Sequence, residues 1–215
     1  MDFSEKELKE LIISAVVLAL AFAIMFEGGL SGIVEGEGIL AALSEGFLMS
    51  MIAVSFGFVL HELGHRFVAR RFDCVAAFEM WPRGLVLALA FSLFGFVLAA
   101  PGAVMIRPKM AFGFYVQLSK RKLGLISVAG PVLNLSLAVA FLVLYSQYST
   151  TGFWREAFAV GALVNTWLAG FNMIPFGPFD GKKIFDWDKT VWAITLAIAV
   201  ALFMYILGAD VFVLT

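Results

Sequence analysis

Long stretches without charge decide what this chain can become. Residues 123–153 contain no ionisable Asp, Glu, Lys, Arg or His over 31 positions, residues 157–179 none over 23, and residues 190–209 none over 20. A helix needs about 20 apolar residues to cross the hydrocarbon core of a bilayer. Residues 11–26 are likewise uncharged, with a helix expected to begin nearer Leu8, and residues 41–72 form a mostly apolar run crossed by one polar sequence. With 62% hydrophobic and 14% charged residues, the chain lies far from a soluble domain, which is nearer half apolar and a quarter charged. The expected fold is an all-α polytopic membrane protein of about five or six transmembrane segments. Its 215 residues form one membrane-embedded domain, with no length left for a sizeable soluble one.

Several function classes fall away at this point. A net charge of −1 offers no basic surface for nucleic acid, so the bilayer is the expected partner. The single cysteine, Cys74, cannot close an internal disulfide. Residues 1–10 are acidic and amphipathic, and no small-residue cleavage site follows the first apolar run, which therefore reads as a retained span.

Basic residues set the orientation, because Lys and Arg gather in cytoplasmic loops. Residues 27–45 contain four glutamates and no Lys or Arg, and only Arg155 precedes the run at 157–179. Arg66, Arg70, Arg71, Arg83, Arg107, Lys109, Lys120, Arg121, Lys122, Lys182, Lys183 and Lys189 all fall in the other loops. The first span then runs outward and the second returns. One uncharged run, residues 84–106, has basic residues on both flanks. A crossing there would invert every later loop, whereas a hairpin that enters and returns keeps them consistent. A membrane-associated hairpin over about residues 84–118 is expected, with a turn at Pro101-Gly102 and short strands at residues 103–106 and 112–118.

The polar sequence in the second span is His61-Glu62-Leu63-Gly64-His65, and it holds the only two histidines in the chain. Residues four apart share a helical face, so both imidazoles can reach one Zn²⁺. Glu62 lies beside the first and is placed to take a proton from a water at the metal. Two histidines and ten glutamates produce this pattern by chance about once in a thousand shuffles. Ionisable groups at membrane depth are costly and usually functional, which weighs against a merely solvated helix end. A catalytic zinc takes a third protein ligand and keeps an open position. Asp180, after Pro175, Gly177 and Pro178, is the candidate, although an Asp-Gly pair also suits a plain helix-ending turn. Irregular backbone at that depth persists only where protein or a watery cavity surrounds it.

Three motifs in this order resemble the site-2 protease family. They are His61–His65, then Ala129-Gly130-Pro131-Val132-Leu133-Asn134, then Phe171-Asn172 through Asp180-Gly181. The resemblance covers about residues 41–186, taken as a three-span catalytic core, and with no room for a PDZ domain it points to the compact members. It implies one zinc per chain held by His61, His65 and Asp180, with Glu62 as general base and Asn172 at the oxyanion or the substrate backbone. Phe179 departs from the leucine usual before the Asp-Gly pair, a difference of packing. Asn134 by itself reads as an interhelical hydrogen-bonder. The implied activity is hydrolysis of peptide bonds in or near transmembrane segments of protein substrates, in the cell membrane, with the site toward the cytoplasm. Two other readings stand beside it: a metal transporter or sensor using the same ligands without hydrolysis, and a membrane protease acting on soluble or prenylated peptides, in which a glutamate usually supplies the third ligand.

Overall fold

A computed structural model describes residues 3–35, 44–108, 118–148, 152–209 and 211. The described elements are α1 (Glu5–Phe26), α2 (Gly29–Glu35), α3 (Glu45–Val54), a π-helical turn (Ser55–Val59), α4 (Leu60–Arg71), β1 (Cys74–Met80), α5 (Pro82–Ser92), β2 (Gly102–Pro108), α6 (Lys120–Ser146), α7 (Phe153–Asn172), α8 (Asp180–Trp187) and α9 (Lys189–Gly208). Among the described residues, four helices are long and apolar enough to cross a membrane: α1, the continuous run Glu45–Arg71, α6 and α9. The fold is an all-α polytopic membrane protein, with one small two-stranded sheet among the described residues.

The helix ends follow local chemistry. Ser4 accepts from the Glu7 amide at 3.1 Å to open α1, and Ser119 accepts from Lys122 at 3.3 Å to open α6. Asp188 takes the Thr190 and Val191 amides at 2.8 and 3.1 Å to open α9. Each side-chain oxygen satisfies an amide that the first helical turn leaves without a partner. The span expected over residues 157–179 starts earlier, at Phe153, and stops at Asn172. Pro175 excludes helical backbone just beyond, and the chain turns through residues 173–179 instead. At 20 residues α7 has the length of a span, yet it is not among the four apolar ones. It carries Arg155, Glu156, Asn165 and Thr166, and packs against α3, α6 and α9. A helix enclosed by protein does not need the apolarity that lipid demands.

Residues 81–101 form the hairpin. Met80 pairs with Gly102 across the antiparallel β1–β2 ribbon, so the chain leaves and rejoins the same point. The Trp81 amide closes the neck on the Pro101 carbonyl at 2.8 Å. A segment that returns to its own neck is not a crossing. Its helix, α5, has 11 residues, about 16 Å of rise, half of a bilayer core. The reversal lies at Phe94-Gly95, where Gly95 takes φ +75°, and not at Pro101-Gly102 as expected. The tip reaches α2, just beyond the end of α1, with the Leu30 amide donating to the Leu93 carbonyl at 2.8 Å. The expected strand at residues 103–106 lies within β2, but its partner is β1, upstream of the hairpin. β1 escaped notice because Val75 and Ala77 face outward and blur the alternation around buried Cys74, Ala76 and Phe78. Residues 112–117 of the second expected strand lie outside the described residues, and Leu118 is not in a strand.

Two glutamates of α1 fasten the ribbon to the bundle. Glu7 accepts from the Phe78 amide and Glu10 from the Met80 amide, both at 3.0 Å. Glu7 also pairs with Arg66 of α4 through two contacts, at 3.0 and 3.1 Å, with both side chains buried. Residues three apart on a helix thus match residues two apart on a strand. Removing one member of a buried ion pair costs about 3–5 kcal/mol, because it strands the other charge. Arg66→Ala is accordingly expected to lower stability by about that amount, read as loss of thermal stability in detergent. Arg66→Ala combined with Glu7→Gln is expected to lose less, since no unpaired carboxylate is left.

Candidate metal centre

α4 and α8, both packed against α6, bring the ligand candidates together. His61 and His65 stand one turn apart on α4, and Asp180 is the first residue of α8. The Asp180 Oδ2 atom lies 2.8 Å from His65 Nε2 and 3.3 Å from His61 Nε2, and the two Nε2 atoms are 3.0 Å apart. All three side chains are buried. Among the described residues, this is the group of histidine and acidic side chains whose ligand atoms fit around one metal ion.

The outer nitrogens fix which atoms point inward. His65 Nδ1 lies 2.8 Å from the Ile126 carbonyl of α6, which can only accept, so Nδ1 carries the hydrogen. His61 Nδ1 meets Asn134 Oδ1 at 2.5 Å. The Asn134 amide nitrogen already donates to the Gly57 carbonyl at 3.1 Å and to Asn165 Oδ1 at 3.0 Å. Its oxygen therefore faces His61, and His61 also donates from Nδ1. In neutral rings both Nε2 atoms are then bare lone pairs. Two nitrogen lone pairs and a carboxylate oxygen converge with no hydrogen among them, which is unfavourable unless a cation is shared. Nitrogen and oxygen donors in this number suit zinc, and a hydrogen-bond partner on each outer nitrogen is the usual support for a ligating imidazole.

No family model matches the chain, and no solved structure matches it significantly. Among curated proteins, a "putative zinc metalloprotease" of Methanocaldococcus jannaschii is 37% identical over 195 residues, covering 89% of this chain and 90% of that relative. The chain belongs to that zinc metalloprotease family.

The other expected site residues of this family member surround the three ligand candidates. Glu62 is buried, and its Oε2 atom has no hydrogen-bond partner. Two clefts meet beside Glu62 and His61. One is walled by residues 99–102 and Pro178, the other by Gly102, Val104, Asp180 and Lys183, and Asn172 borders both. The Asn172 amide nitrogen donates to the Leu168 carbonyl of its own helix at 2.9 Å. Asp180 opens α8, outside the four spanning helices. Burial opposes the ionisation of Asp180, and the nearby Lys183 ammonium favours it. Lys183 Nζ lies 3.5 Å from Asp180 Oδ1, the oxygen turned away from the histidines.

Sequence reasoning left two contributors unnamed as site residues. Asn134 is the interhelical hydrogen-bonder expected, and one of its partners is the ligand candidate His61. Asn165 and Lys183 carried no motif that named them. A polar residue within an uncharged run is itself a signal at membrane depth, and that criterion would have selected Asn165. Gly130 is a close-packing point: a methyl group there would sit 2.5 to 2.6 Å from atoms of both histidine rings. Gly130→Ala is therefore expected to weaken metal binding about tenfold or more by displacing the imidazoles, as loss of ligand support does. Gly170→Ala, where the added methyl meets only the Ala199 methyl at 3.9 Å, serves as the silent control, with metal affinity measured by chelator competition.

Proposed function

We propose that the chain is an intramembrane zinc metalloprotease of the site-2 protease type, hydrolysing peptide bonds in or near transmembrane segments of membrane-protein substrates. The observation that carries this reading is the convergence of His61, His65 and Asp180 within an apolar helical bundle, with buried Glu62 beside them. The relative's name supports the metal and the reaction class, and the bundle supports the setting.

His61, His65 and Asp180 would hold the zinc, which when bound acts as a Lewis acid for the scissile carbonyl and for water. The rest falls to side chains. Glu62 takes the proton from the attacking water at its unpaired Oε2 and delivers it to the leaving amine. Asn172, on the wall of both clefts, steadies the oxyanion or the substrate backbone with its amide. Lys183 neutralises the outer oxygen of Asp180 and keeps the inner one toward the histidines. The basic residues near the end of α4 and the start of α6 support a site facing the cytoplasmic side of the cell membrane. The catalytic core spans about residues 41–186, with the hairpin as an insertion.

A substrate helix hides each carbonyl in its own hydrogen bonds and has to unwind before one can be attacked. A strand near the site can pair with the unwound segment and offset the lost bonds. β2 borders the clefts and, among the described residues, is paired only with β1. Replacing residues 103–118 by a short polar linker is expected to impair cleavage of a membrane substrate and to spare a soluble, already extended peptide. Equal loss of both would remove strand pairing from the mechanism.

The central test is cleavage of a single-span substrate by purified protein, with zinc content measured on each variant. Glu62→Gln is expected to keep zinc and lose about 10²–10⁴-fold in rate, the usual contribution of a positioned general base. Asp180→Asn is expected to lose both zinc affinity and activity. Full activity in Glu62→Gln would remove Glu62 as the general base, and zinc binding with no cleavage by the unsubstituted chain would return the reading to metal transport or sensing.

A further inference from the structure

Asn165 lies in no motif and touches neither metal ligand, yet the orientation of His61 traces back to it. The side chain is fully buried on α7. Its Nδ2 atom donates to the Gly161 carbonyl one turn back in the same helix, at 2.8 Å. That bond turns Oδ1 outward, where it accepts from Asn134 Nδ2 at 3.0 Å. Asn134 spends its other amide hydrogen on the Gly57 carbonyl, inside the π-helical turn, at 3.1 Å. An amide can face a partner with either end. Here two acceptors, one from α7 and one from the π-helical turn, both demand the NH₂ end, so only the oxygen is left for His61. Glycine at position 57 makes the approach possible, because a methyl there would stand 2.9 Å from Asn165 Oδ1.

We infer that Asn165 is a positioning residue for the metal centre: through Asn134 it fixes the His61 tautomer that leaves Nε2 bare for the metal. A reversed Asn134 amide would present a donor to His61 Nδ1, push the ring hydrogen to Nε2, and close that ligand. The inference rests on the zinc reading of the site above. It adds a lock contributed by α7, so that the helix carrying Asn172 at its C-terminal end also sets the ligand on α4.

Two variants test it. Asn165→Ala removes the acceptor, leaving Gly57 alone to orient Asn134. Asn165→Asp is isosteric: as the neutral acid, one oxygen accepts from Asn134 and the hydroxyl donates to Gly161. Zinc affinity is measured by chelator competition, and the His61 ring tautomer by ¹⁵N-detected NMR on metal-stripped protein as well as on loaded protein. Asn165→Ala is expected to weaken zinc binding about 10–100-fold, the usual effect of losing a partner behind a ligand. It should also lose the His61 Nδ1–H signal, whereas Asn165→Asp keeps both properties. A purely packing role would leave the tautomer unchanged in Asn165→Ala, and that result overturns the inference. If the alanine variant does not fold, Asn165→Asp decides alone, since loss of the Nδ1–H signal there also overturns it. Failure of the unsubstituted chain to bind zinc would sink the metal reading, while the metal-stripped spectrum still decides whether Asn165 sets the tautomer.

Discussion

A polar atom inside an apolar bundle has no water to turn to, so it finds a partner within the chain or costs several kcal/mol. That constraint organises this protein. The metal centre is the extreme case, since three lone-pair donors face one another at distances of 2.8 to 3.3 Å. Around it the outer atoms are each matched: Ile126 for His65, Asn134 for His61, and Asn165 and Gly57 for Asn134. The same logic extends to the irregular segments. The Trp167 indole donates to the Val97 carbonyl in the returning arm of the hairpin at 3.0 Å, and Trp192 donates to Met173 beyond the end of α7 at 2.7 Å. Two indoles thus serve carbonyls that helix would otherwise have satisfied. Their rings meanwhile stay in apolar packing.

The sequence was legible where one residue type sufficed to state the constraint. Uncharged length marks a spanning helix because charge is intolerable in lipid, and four of the apolar helices begin and end close to where the runs do. His61, Glu62 and His65 were legible because helical periodicity fixes their geometry without any tertiary knowledge. Asp180 was less so, since an Asp-Gly pair also makes an ordinary turn, and only the fold brings its carboxylate to the two imidazoles. The hairpin was inferred from charge on both flanks, which reports sidedness but not shape. Its turn was misplaced because Pro101-Gly102 carries the stronger local signal, while the reversal at Phe94-Gly95 needs only one glycine at positive φ.

What stayed hidden was pairing. That Glu7 and Glu10 serve amides of β1, or that Asn165 serves Asn134, depends on which elements become neighbours. These residues are ordinary in type and distant in sequence. The helix α7 makes the same point from the opposite side. Its polar residues lower its apolarity below that of the four spanning helices, yet one of them, Asn165, holds Asn134 behind His61.

The position of the centre along its helix ties these observations to the chemistry. His61 lies ten residues before Arg71, about 15 Å along the axis, near half the depth of a bilayer core if the arginines mark its edge. The proposed hydrolysis, at that depth, would need both water and an unwound peptide, and a sealed helical bundle admits neither. A helix in the place of β2 would present only side chains, with its backbone bonded to itself. The β1–β2 ribbon is different, because a strand bonds sideways and leaves the direction of its polar groups open to neighbours. Fastening one strand to α1 through Glu7 and Glu10 leaves the other beside the clefts at Glu62, next to Lys183 and Asn172. The ion pair between Glu7 and Arg66 then joins that ribbon to the helix carrying the histidines. For the proposed reaction, this braced irregular segment is what would bring polar backbone to the clefts beside Glu62 and the three ligand candidates.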